Sequence, residues 1–533
     1  MMNEKLQLTN RDPQVPNCAC LDIAAPPTAL VAMQHGGFVK RASALLHRSQ
    51  ALRLCSGAGK WLIAALAWLA SAALQAQALP GPVLEALHKA GVLAVDHGTV
   101  VIPIDAGPAL VSHNATLGFN PASTMKLVTT HAALDLLRPD YRWQTTVHMR
   151  GVMRGDVLEG DLVLRGSGDP KLVIEDLQAL IQALRQRGLR EIRGRLVIDD
   201  SLYELTEAAG DAIDGDRSQP YNVTPHAAMM NFKAVKLTVT PLAGRTQIAI
   251  DPPLGRIELV NAIKPMQGPC RHGIHGVQVS ERSSAPHRMA IRVSGLYSVS
   301  CGEQSNMVAV LDHREFIEAL FAAAWEAAGG RWDGEAVIER HVDAALPLLA
   351  RWQSDRTLVD VVRDVNKFSN NVMARHLLLQ AAVASPSVPV SARPATLERA
   401  RVTLNQWLER RGLRTPEFVI DNGSGLSRRE RISAQGLARV LIDAARSDHA
   451  EIFQASLPVA GQDGTMRNRL KGEPVAGQAW IKTGSLNDVR SIAGYVLARS
   501  GRLYAVVMLV NGPRAAGSGP AQDALLRWVH ANG

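Results

Sequence analysis

The chain has 533 residues and a mass of 57.4 kDa, a length that predicts more than one domain. Hydrophobic residues make up 47% and charged residues 20%, a balance that excludes wholesale disorder, a collagen-like chain and a disulfide-bonded miniprotein. Lysine and arginine total 58 against 49 acidic residues, a net charge of +9, and aromatic residues are only 4%. Because the basic residues are scattered rather than clustered, the sequence predicts no nucleic-acid partner.

The first 78 residues are predicted to be a leader that contains a secretory signal. Residues 61–74 carry no charge, and Lys60 precedes them. Ala76-Gln77-Ala78, which has the small residues of a signal-peptidase cleavage site, follows them. This pattern is typical of a secretory signal, and the apolar core is shorter than the roughly 20 residues that span a bilayer. We therefore expect export to the periplasm, cleavage after Ala78 and at most peripheral membrane contact; a buried helix is the alternative. The stretch before the apolar core is long, so a start at Met33 and an extended leader both stay open.

Removal of this leader would change both the charge and the cysteine count. The remaining 455 residues would carry 51 basic and 46 acidic side chains, a net charge of +5. Three of the five cysteines lie in the leader, namely Cys18, Cys20 and Cys55. Cys55 precedes the apolar core and so cannot be a lipoprotein cysteine. The other two can pair in an oxidising compartment, and we hypothesise a Cys270–Cys301 disulfide across a strand-rich stretch.

Hydrophobic periodicity divides the rest of the chain into three zones. Residues 79–138 and 312–533 are mainly helical, with short strands near 100–112 and three strands between 479 and 510. Residues 139–311 alternate apolar and polar side chains as strands do. The predicted helices outside 312–447 are Pro82–Lys89, Pro121–Leu137, Ile174–Arg187 and Gln522–His530.

These zones predict an α/β (α+β) fold. The three strands near the end of the chain form a sheet, which helices from both chain ends would flank. Residues 79–138 and 312–533 would then form one domain, an antiparallel sheet flanked by helices plus a helical subdomain. Residues 139–311 are the β-rich insertion, which we expect to form two small accessory domains.

The first candidate for chemistry opens the helix that starts near Pro121. Asn120 suits the N-cap and Pro121 the first helical position. Ser123 and Lys126 are three residues apart, so they share a helix face. A serine hydroxyl needs a base before it attacks a carbonyl, and a buried lysine near another cation can lose its proton and act as that base. Taken alone the S-x-x-K pair is weak, because Ser123 also reads as an ordinary N-terminal helix serine.

Two polar tripeptides are further candidates for functional residues, because of where they lie in the predicted elements. Lys482-Thr483-Gly484 lies in a predicted strand, where a cation and a hydroxyl at an exposed edge can hold a carboxylate. The glycine there permits close approach of substrate or backbone. Ser369-Asn370-Asn371 lies between helical stretches, where a hydroxyl and an amide can relay a proton and hold a peptide. Taken singly, the first also reads as a strand end and the second as a helix cap.

The order of the three motifs carries more weight than any one of them. S-x-x-K, then S-x-N, then K-T-G is the signature of penicillin-recognising serine acyl enzymes. On these residues the chain resembles the class C low-molecular-mass penicillin-binding proteins, D-alanyl-D-alanine carboxypeptidases/endopeptidases of the penicillin-binding protein 4 type. The resemblance covers nearly all of 80–533 and includes GDLVL and GSGDP at 160–170, NGSGLSR at 422–428 and LPVAGQDGT at 457–465. The wide gap between Ser123 and Ser369 is similar to that of the family, and Asn370 stands where relatives often have aspartate.

The resemblance implies an acyl-enzyme mechanism. Ser123 attacks the penultimate D-alanine carbonyl and Lys126 takes its proton. Ser369 and Asn371 complete the proton relay and orient the peptide. Lys482 helps to keep Lys126 neutral by like-charge repulsion.

The resemblance also implies how the substrate is held. Lys482 and Thr483, beside Gly484, bind its terminal carboxylate, and the backbone N–H groups of Ser123 and Ser485 form the oxyanion hole. Peptidoglycan stem peptides are the implied partners and β-lactams the covalent inhibitors. No metal or other cofactor is required by this chemistry, and the sequence has no H-E-x-x-H or paired C-x-x-C motif.

Two alternatives keep the fold and change the function. One is a non-catalytic peptidoglycan-binding protein, which the six intact polar motif positions disfavour. The other is a β-lactamase, which the large insertion disfavours. The glycine-rich GSGDP and NGSGLS segments are interpreted as tight turns, the second beside the active site.

Overall fold

The computed structural model describes residues 79–205, 213–285, 288–384 and 394–533. The predicted signal core at 61–74, the cleavage site after Ala78 and the three leader cysteines lie outside these ranges. Within the described ranges, no helix combines the length and the hydropathy that crossing a membrane requires.

A five-stranded antiparallel sheet joins the two ends of the described chain. Its strands are β1 His97–Pro103, β2 Val111–His113, β18 Ala479–Leu486, β19 Val489–Leu497 and β20 Leu503–Asn511. Their order in the sheet is β18-β19-β20-β1-β2. β1 pairs with β20, so that Val100 lies opposite Val507. As expected, early and late segments share one sheet, and β18 is left at its edge.

Helices cover both faces of this sheet because alternate residues of its strands are apolar on opposite sides. Val506 and Met508 of β20 belong to one buried cluster, which also contains residues of the first and last helices. Val507 and Leu509 belong to a second buried cluster, which contains residues of six other helices. The first and last helices are α1 Gly81–Ala90 and α10 Gly519–Asn532. The other six are α2 Lys126–Leu137, α5 Leu358–Phe368, α6 Asn371–Val383, α7 Leu397–Arg410, α8 Ala434–Ala445 and α9 Ala450–Ser456. A two-stranded ribbon, β3 Gly118–Phe119 with β17 Ile432–Ser433, lies beside α8.

The inserted region is built on a seven-stranded mixed sheet. β4 and β5 form its long antiparallel hairpin, and β7 pairs in parallel with both β5 and β15. The strands are β4 Gln144–Arg154, β5 Val157–Arg165, β6 Glu191–Ile192, β7 Leu196–Asp199, β14 Arg331–Trp332, β15 Ala336–Glu339 and β16 Leu348–Gln353. α3 Ile174–Gln186 and α4 His313–Ala327 contribute to the same buried cluster.

Two three-stranded sheets complete the insertion. Their strands are β8 Ala234–Leu242, β9 Arg245–Asp251, β10 Ile257–Met266, β11 Val277–Ala285, β12 Arg288–Ser298 and β13 Gln304–Ala309. One sheet has the order β13-β8-β9 and the other the order β10-β12-β11. A Cys270–Cys301 disulfide joins the loop after β10 to the turn after β12. Both sheets share the buried cluster of the seven-stranded sheet, so they are extensions of one core.

The insertion extends beyond its expected end at residue 311. Helix α4 and strands β14–β16 all follow residue 311, yet they pack on or pair with the inserted sheet. Trp352 of β16, for example, lies opposite Thr145 of β4. We therefore end the inserted region at Gln353. Residues 312–353 belong with it rather than with the central sheet, because strand pairing and a shared core outweigh the helical character of 313–327.

Candidate active site

The segment before Ser123 is fixed by a polar anchor. Asn120 Oδ1 accepts a hydrogen bond from Ala122 N at 2.9 Å, and the Asn120 side-chain amide donates to the Ser427 carbonyl at 2.8 Å. Asn511 on β20 pairs with the Asn120 backbone from the other side. Residues 122–125 form a 3₁₀ turn and α2 begins only at Lys126, so Asn120 anchors an Asx turn rather than the predicted helix N-cap.

Lys126 is the buried centre of the site. Its Nζ lies 3.0 Å from Ser123 Oγ and 2.6 Å from Asn371 Oδ1, and it also contacts the Ser424 carbonyl oxygen. The side chain has no exposed surface, whereas Ser123 is half-buried. Three acceptors around one nitrogen fix its position, and the S-x-x-K and S-x-N motifs meet at that nitrogen.

Burial is the largest cause that lowers the pKa of Lys126 well below the usual lysine value, and the Lys482 charge lowers it further. Arg375 acts in the same direction and Glu430 in the opposite one. Burial lowers the pKa of Lys482 to about 7. Burial and the neighbouring Lys482 charge therefore both favour the neutral form of Lys126.

Ser369-Asn370-Asn371 forms the junction between α5 and α6. Ser369 has φ 59°, a left-handed conformation that stops α5 and turns the chain. Asn370 caps α6, because its Oδ1 accepts from Met373 N at 3.0 Å. An aspartate would cap the helix equally well, so the middle residue of the motif serves the fold while its neighbours reach Lys126 and Lys482.

Lys482-Thr483-Gly484 lies on β18, the edge strand of the central sheet. Lys482 is fully buried, and its Nζ donates to Ser369 Oγ at 2.9 Å and to the Thr483 carbonyl at 2.8 Å. The Thr483 hydroxyl is 2.9 Å from that of Thr465, which belongs to the LPVAGQDGT segment. The third motif therefore meets the second through Lys482.

Position 484 requires a glycine because neighbouring atoms approach its Cα closely. A Cβ there would lie 2.2 Å from Ser491 Oγ and 2.9 Å from the backbone nitrogen of Ser123. β18 therefore runs against the turn that holds Ser123. Ser485 follows on the same strand and is exposed, which leaves its surroundings open to a ligand.

Three residues contribute to the site although the motif reasoning gave them no role. The Ser424 carbonyl contacts Lys126, and Glu430 Oε1 accepts from Gly423 N at 2.8 Å and so shapes the NGSGLS loop. The glycine-rich pattern and the family resemblance of NGSGLSR were the signals of this loop, and the structure places it beside the site as expected. Thr465 is the third addition, since its hydroxyl lies 2.9 Å from that of Thr483.

Known proteins share this architecture. The model of the D-Ala-D-Ala carboxypeptidase 3 (S13) family matches residues 83–532. A D-alanyl-D-alanine carboxypeptidase from an Actinomadura species is 28% identical over 453 residues, which cover 80% of each chain. A crystal structure of penicillin-binding protein 4 from Haemophilus influenzae has 21% identity and a TM-score of 0.71, covering 85% of this chain and 100% of the other. A second structure of that protein, with a bound β-lactam, has a TM-score of 0.67 at 21% identity and covers 84% and 99%.

These comparisons confirm the predicted fold class and the family resemblance. The family match leaves out only residues 1–82 and 533, so it includes all three motifs and the insertion between them. The activity of a serine D-Ala-D-Ala peptidase agrees with the serine, the two buried lysines and the asparagine that the site brings together. The chain belongs to the D-Ala-D-Ala carboxypeptidase 3 (S13) family of serine peptidases.

Proposed function

We propose that this protein is a periplasmic serine DD-peptidase that cleaves the terminal D-alanine from peptidoglycan stem peptides and also cuts D-Ala cross-links. One observation carries the proposal. Ser123 Oγ is 3.0 Å from the nitrogen of a lysine that is fully buried and has its pKa strongly lowered. That arrangement favours a neutral lysine beside the hydroxyl, which can then act as the base for this nucleophile.

Hydrogen-bond capacity supports Lys126 as the base. A neutral lysine nitrogen has two N–H donors and one lone pair. Asn371 Oδ1 and the Ser424 carbonyl are acceptors for the two donors. The lone pair is left for the hydroxyl of Ser123, so the proton leaves Ser123 as its oxygen bonds to the penultimate D-alanine carbonyl carbon.

The charge that develops on the carbonyl oxygen needs donors fixed in advance. We assign them to the backbone N–H groups of Ser123 and Ser485, since β18 lies against the Ser123 turn. Losing one such donor commonly costs about 10²–10³ in turnover. The terminal carboxylate of the substrate is assigned to Lys482 and Thr483.

Collapse of the tetrahedral intermediate breaks the C–N bond of the terminal D-alanine. The proton taken by Lys126 is passed to the leaving nitrogen through the Ser369 hydroxyl, which Lys482 holds at 2.9 Å. D-Alanine leaves and the peptide stays as an ester on Ser123. Water then adds to the ester carbonyl, returns a proton to Ser123 Oγ and releases the shortened peptide.

The same chemistry makes the protein a target of β-lactams. Ring opening acylates Ser123 while the leaving nitrogen stays attached to the acyl group, so the ester persists. The β-lactam complex of the Haemophilus relative supports this expectation for the present chain.

Fluorescent penicillin tests the enzymatic function directly. Mature wild-type protein should acquire one covalent label, Ser123→Ala none, and Ser500→Ala, a change in an exposed turn, the wild-type amount. A wild-type protein that acquires no label would contradict the proposal and favour a non-catalytic binding protein. D-Alanine release from a pentapeptide, measured beside penicillin turnover, separates the peptidase from a β-lactamase, which would turn over penicillin rapidly and release no D-alanine.

A further inference from the structure

Three potential metal ligands converge in the inserted region, apart from Ser123 and its motifs. Asp200, His226 and His313 each offer one ligand atom, and these atoms lie within 4.8 Å of one another. His226 Nδ1 is 3.2 Å from Asp200 Oδ2. The rings of His226 and His313 are stacked with centroids 3.7 Å apart and planes 4° apart. Among the described residues, this is the one such cluster of histidine, cysteine and carboxylate side chains.

Three separate segments of the chain supply the cluster. Asp200 directly follows β7, His226 lies in the segment before β8, and His313 is the first residue of α4. Their convergence depends on the tertiary fold of the insertion and does not arise from one local motif. A ligand bound by all three would tie these segments together.

His313 lacks the partners that a buried imidazole normally has. Its side chain is about nine-tenths buried, with 6% of the residue surface exposed. Neither ring nitrogen has a hydrogen-bond partner in the part of the chain that the structure describes. Because a buried polar group without a partner is costly, an unassigned ligand at these nitrogens accounts for the position of the ring.

The surroundings hold the other two residues in place. Ala227 N donates to Asp200 Oδ1 at 3.3 Å, and the carbonyl of His226 accepts from His376 Nε2 at 3.1 Å. The hydrogen bond to Asp200 Oδ1 is of the kind that commonly orients a metal-binding side chain, whereas the one to the His226 carbonyl fixes the main chain of that residue. His376 belongs to α6, whose first residue is Asn371, so the cluster lies where the insertion meets a helix of the active site.

We propose that Asp200, His226 and His313 bind one divalent transition-metal ion of the Zn²⁺ class, with an open coordination position facing the adjoining cavity. Two imidazoles and one carboxylate suit this class of ion, whereas Mg²⁺ and Ca²⁺ prefer sets of oxygen ligands. At metal–ligand distances of about 2.0–2.1 Å, ligand atoms in a tetrahedral site lie about 3.4 Å apart. The widest pair therefore has to close by up to about 1.4 Å. One of the two stacked rings also has to turn, because a metal lies in the plane of each imidazole that binds it.

The cavity indicates what fills the open position. It has a volume of about 580 Å³, and four basic residues, Arg217, Lys233, Arg314 and Arg340, line it together with the cluster and one further acid, Asp312. Their charge favours an anion, such as a carboxylate or hydroxide, as the fourth ligand. One carboxylate and one such anion would neutralise the charge of the dication.

Metal binding to untagged mature protein tests the proposal. After chelator treatment, Zn²⁺ should bind with a stoichiometry of one per chain in competition with a chromophoric chelator, and Co²⁺ should give a visible absorption band. Asp200→Asn and His313→Gln should weaken binding by at least about 10–100-fold. His113→Gln is the matched control, because His113 stacks on His97 but belongs to no three-ligand cluster among the described residues. It should bind like the wild type.

Two results would overturn the metal site. One is a wild-type protein that binds neither ion. The other is a Zn²⁺ stoichiometry and affinity that Asp200→Asn and His313→Gln leave unchanged. Fluorescent-penicillin labelling of each variant verifies that it is folded. If His313→Gln is not folded, the test uses Asp200→Asn, which keeps the shape of the side chain. The measurement is then the change in melting temperature when Zn²⁺ is added. Zn²⁺ should raise the melting temperature of the wild type and leave that of Asp200→Asn unchanged.

Discussion

At the residue scale, the proposed chemistry depends on two buried lysines whose pKa values burial lowers. Substituting Lys126 by methionine keeps the length of the side chain and removes the base. We expect the rate of acylation by fluorescent penicillin to fall by about 10²–10⁴, the usual contribution of general base catalysis. Lys236→Met, an exposed position on β8, is the control and should label at the wild-type rate. An unchanged rate in Lys126→Met would show that another group takes the proton.

From the lowered pKa of Lys482 we predict how kcat/KM depends on pH. Lys482 is charged below about pH 7 and neutral above it, because burial lowers its pKa to about 7. If its charge binds the substrate carboxylate, kcat/KM for a D-Ala-D-Ala peptide should fall by up to about tenfold per pH unit above that value. A substrate with a C-terminal amide should lack this fall. Parallel pH profiles for the two substrates would instead indicate that the charge of Lys482 does not bind the substrate carboxylate.

The sequence identified side chains of the site better than backbone groups. Ser123, Lys126 and Lys482 were predicted from motifs, because their residue types and spacing carry chemical information. The Ser424 carbonyl contacts Lys126 just as closely, yet a carbonyl group is common to every residue and leaves no mark in the sequence. Glu430 was missed because its effect on the site passes through the backbone of the NGSGLS loop.

At the element scale, the site requires β18 to run against the Ser123 turn. Gly484→Ala would place a methyl group 2.8 Å from the Pro121 carbonyl and closer still to Ser491 Oγ. Because backbone on one side has to move, we expect penicillin labelling to fall sharply while most of the fold is retained. Gly519→Ala is the matched control, since a Cβ there meets nothing within 4 Å. Normal labelling by Gly484→Ala would show that the strand can shift without cost to the site.

The disulfide is a second feature of this scale, because it ties strands of the insertion together. It closes a loop with a sequence separation of 31 residues. Chain-entropy arguments give a loss of about 2–4 kcal/mol in unfolding free energy for Cys270→Ser/Cys301→Ser, measured by denaturant unfolding. Penicillin labelling should persist, since the bridge belongs to the inserted region. Two free thiols in unreduced, denatured mature protein would refute the pairing.

At the scale of the whole molecule, the sequence predicted the architecture but misplaced one boundary. The apolar runs of β18, β19 and β20 are long and sharply bounded, so their sheet could be predicted. The short strands at 331–353 are not recognisable in that way, and periodicity cannot indicate which sheet a strand joins. Their assignment depends on long-range pairing, such as that of β15 with β7, which appears only in the fold.

The proposed export makes a prediction about the mature N-terminus, which the core of the folded domain constrains. Leu79 is 8% exposed and Val83 is fully buried, and both belong to the cluster that packs α1 against the central sheet. Cleavage after Ala78 keeps both contacts, whereas cleavage a few residues later would remove apolar surface from the core. Mass spectrometry of protein recovered from the periplasm should therefore find a chain that begins at Leu79. A mature chain that begins beyond Val83 would contradict the prediction, because α1 could then no longer fill that part of the core.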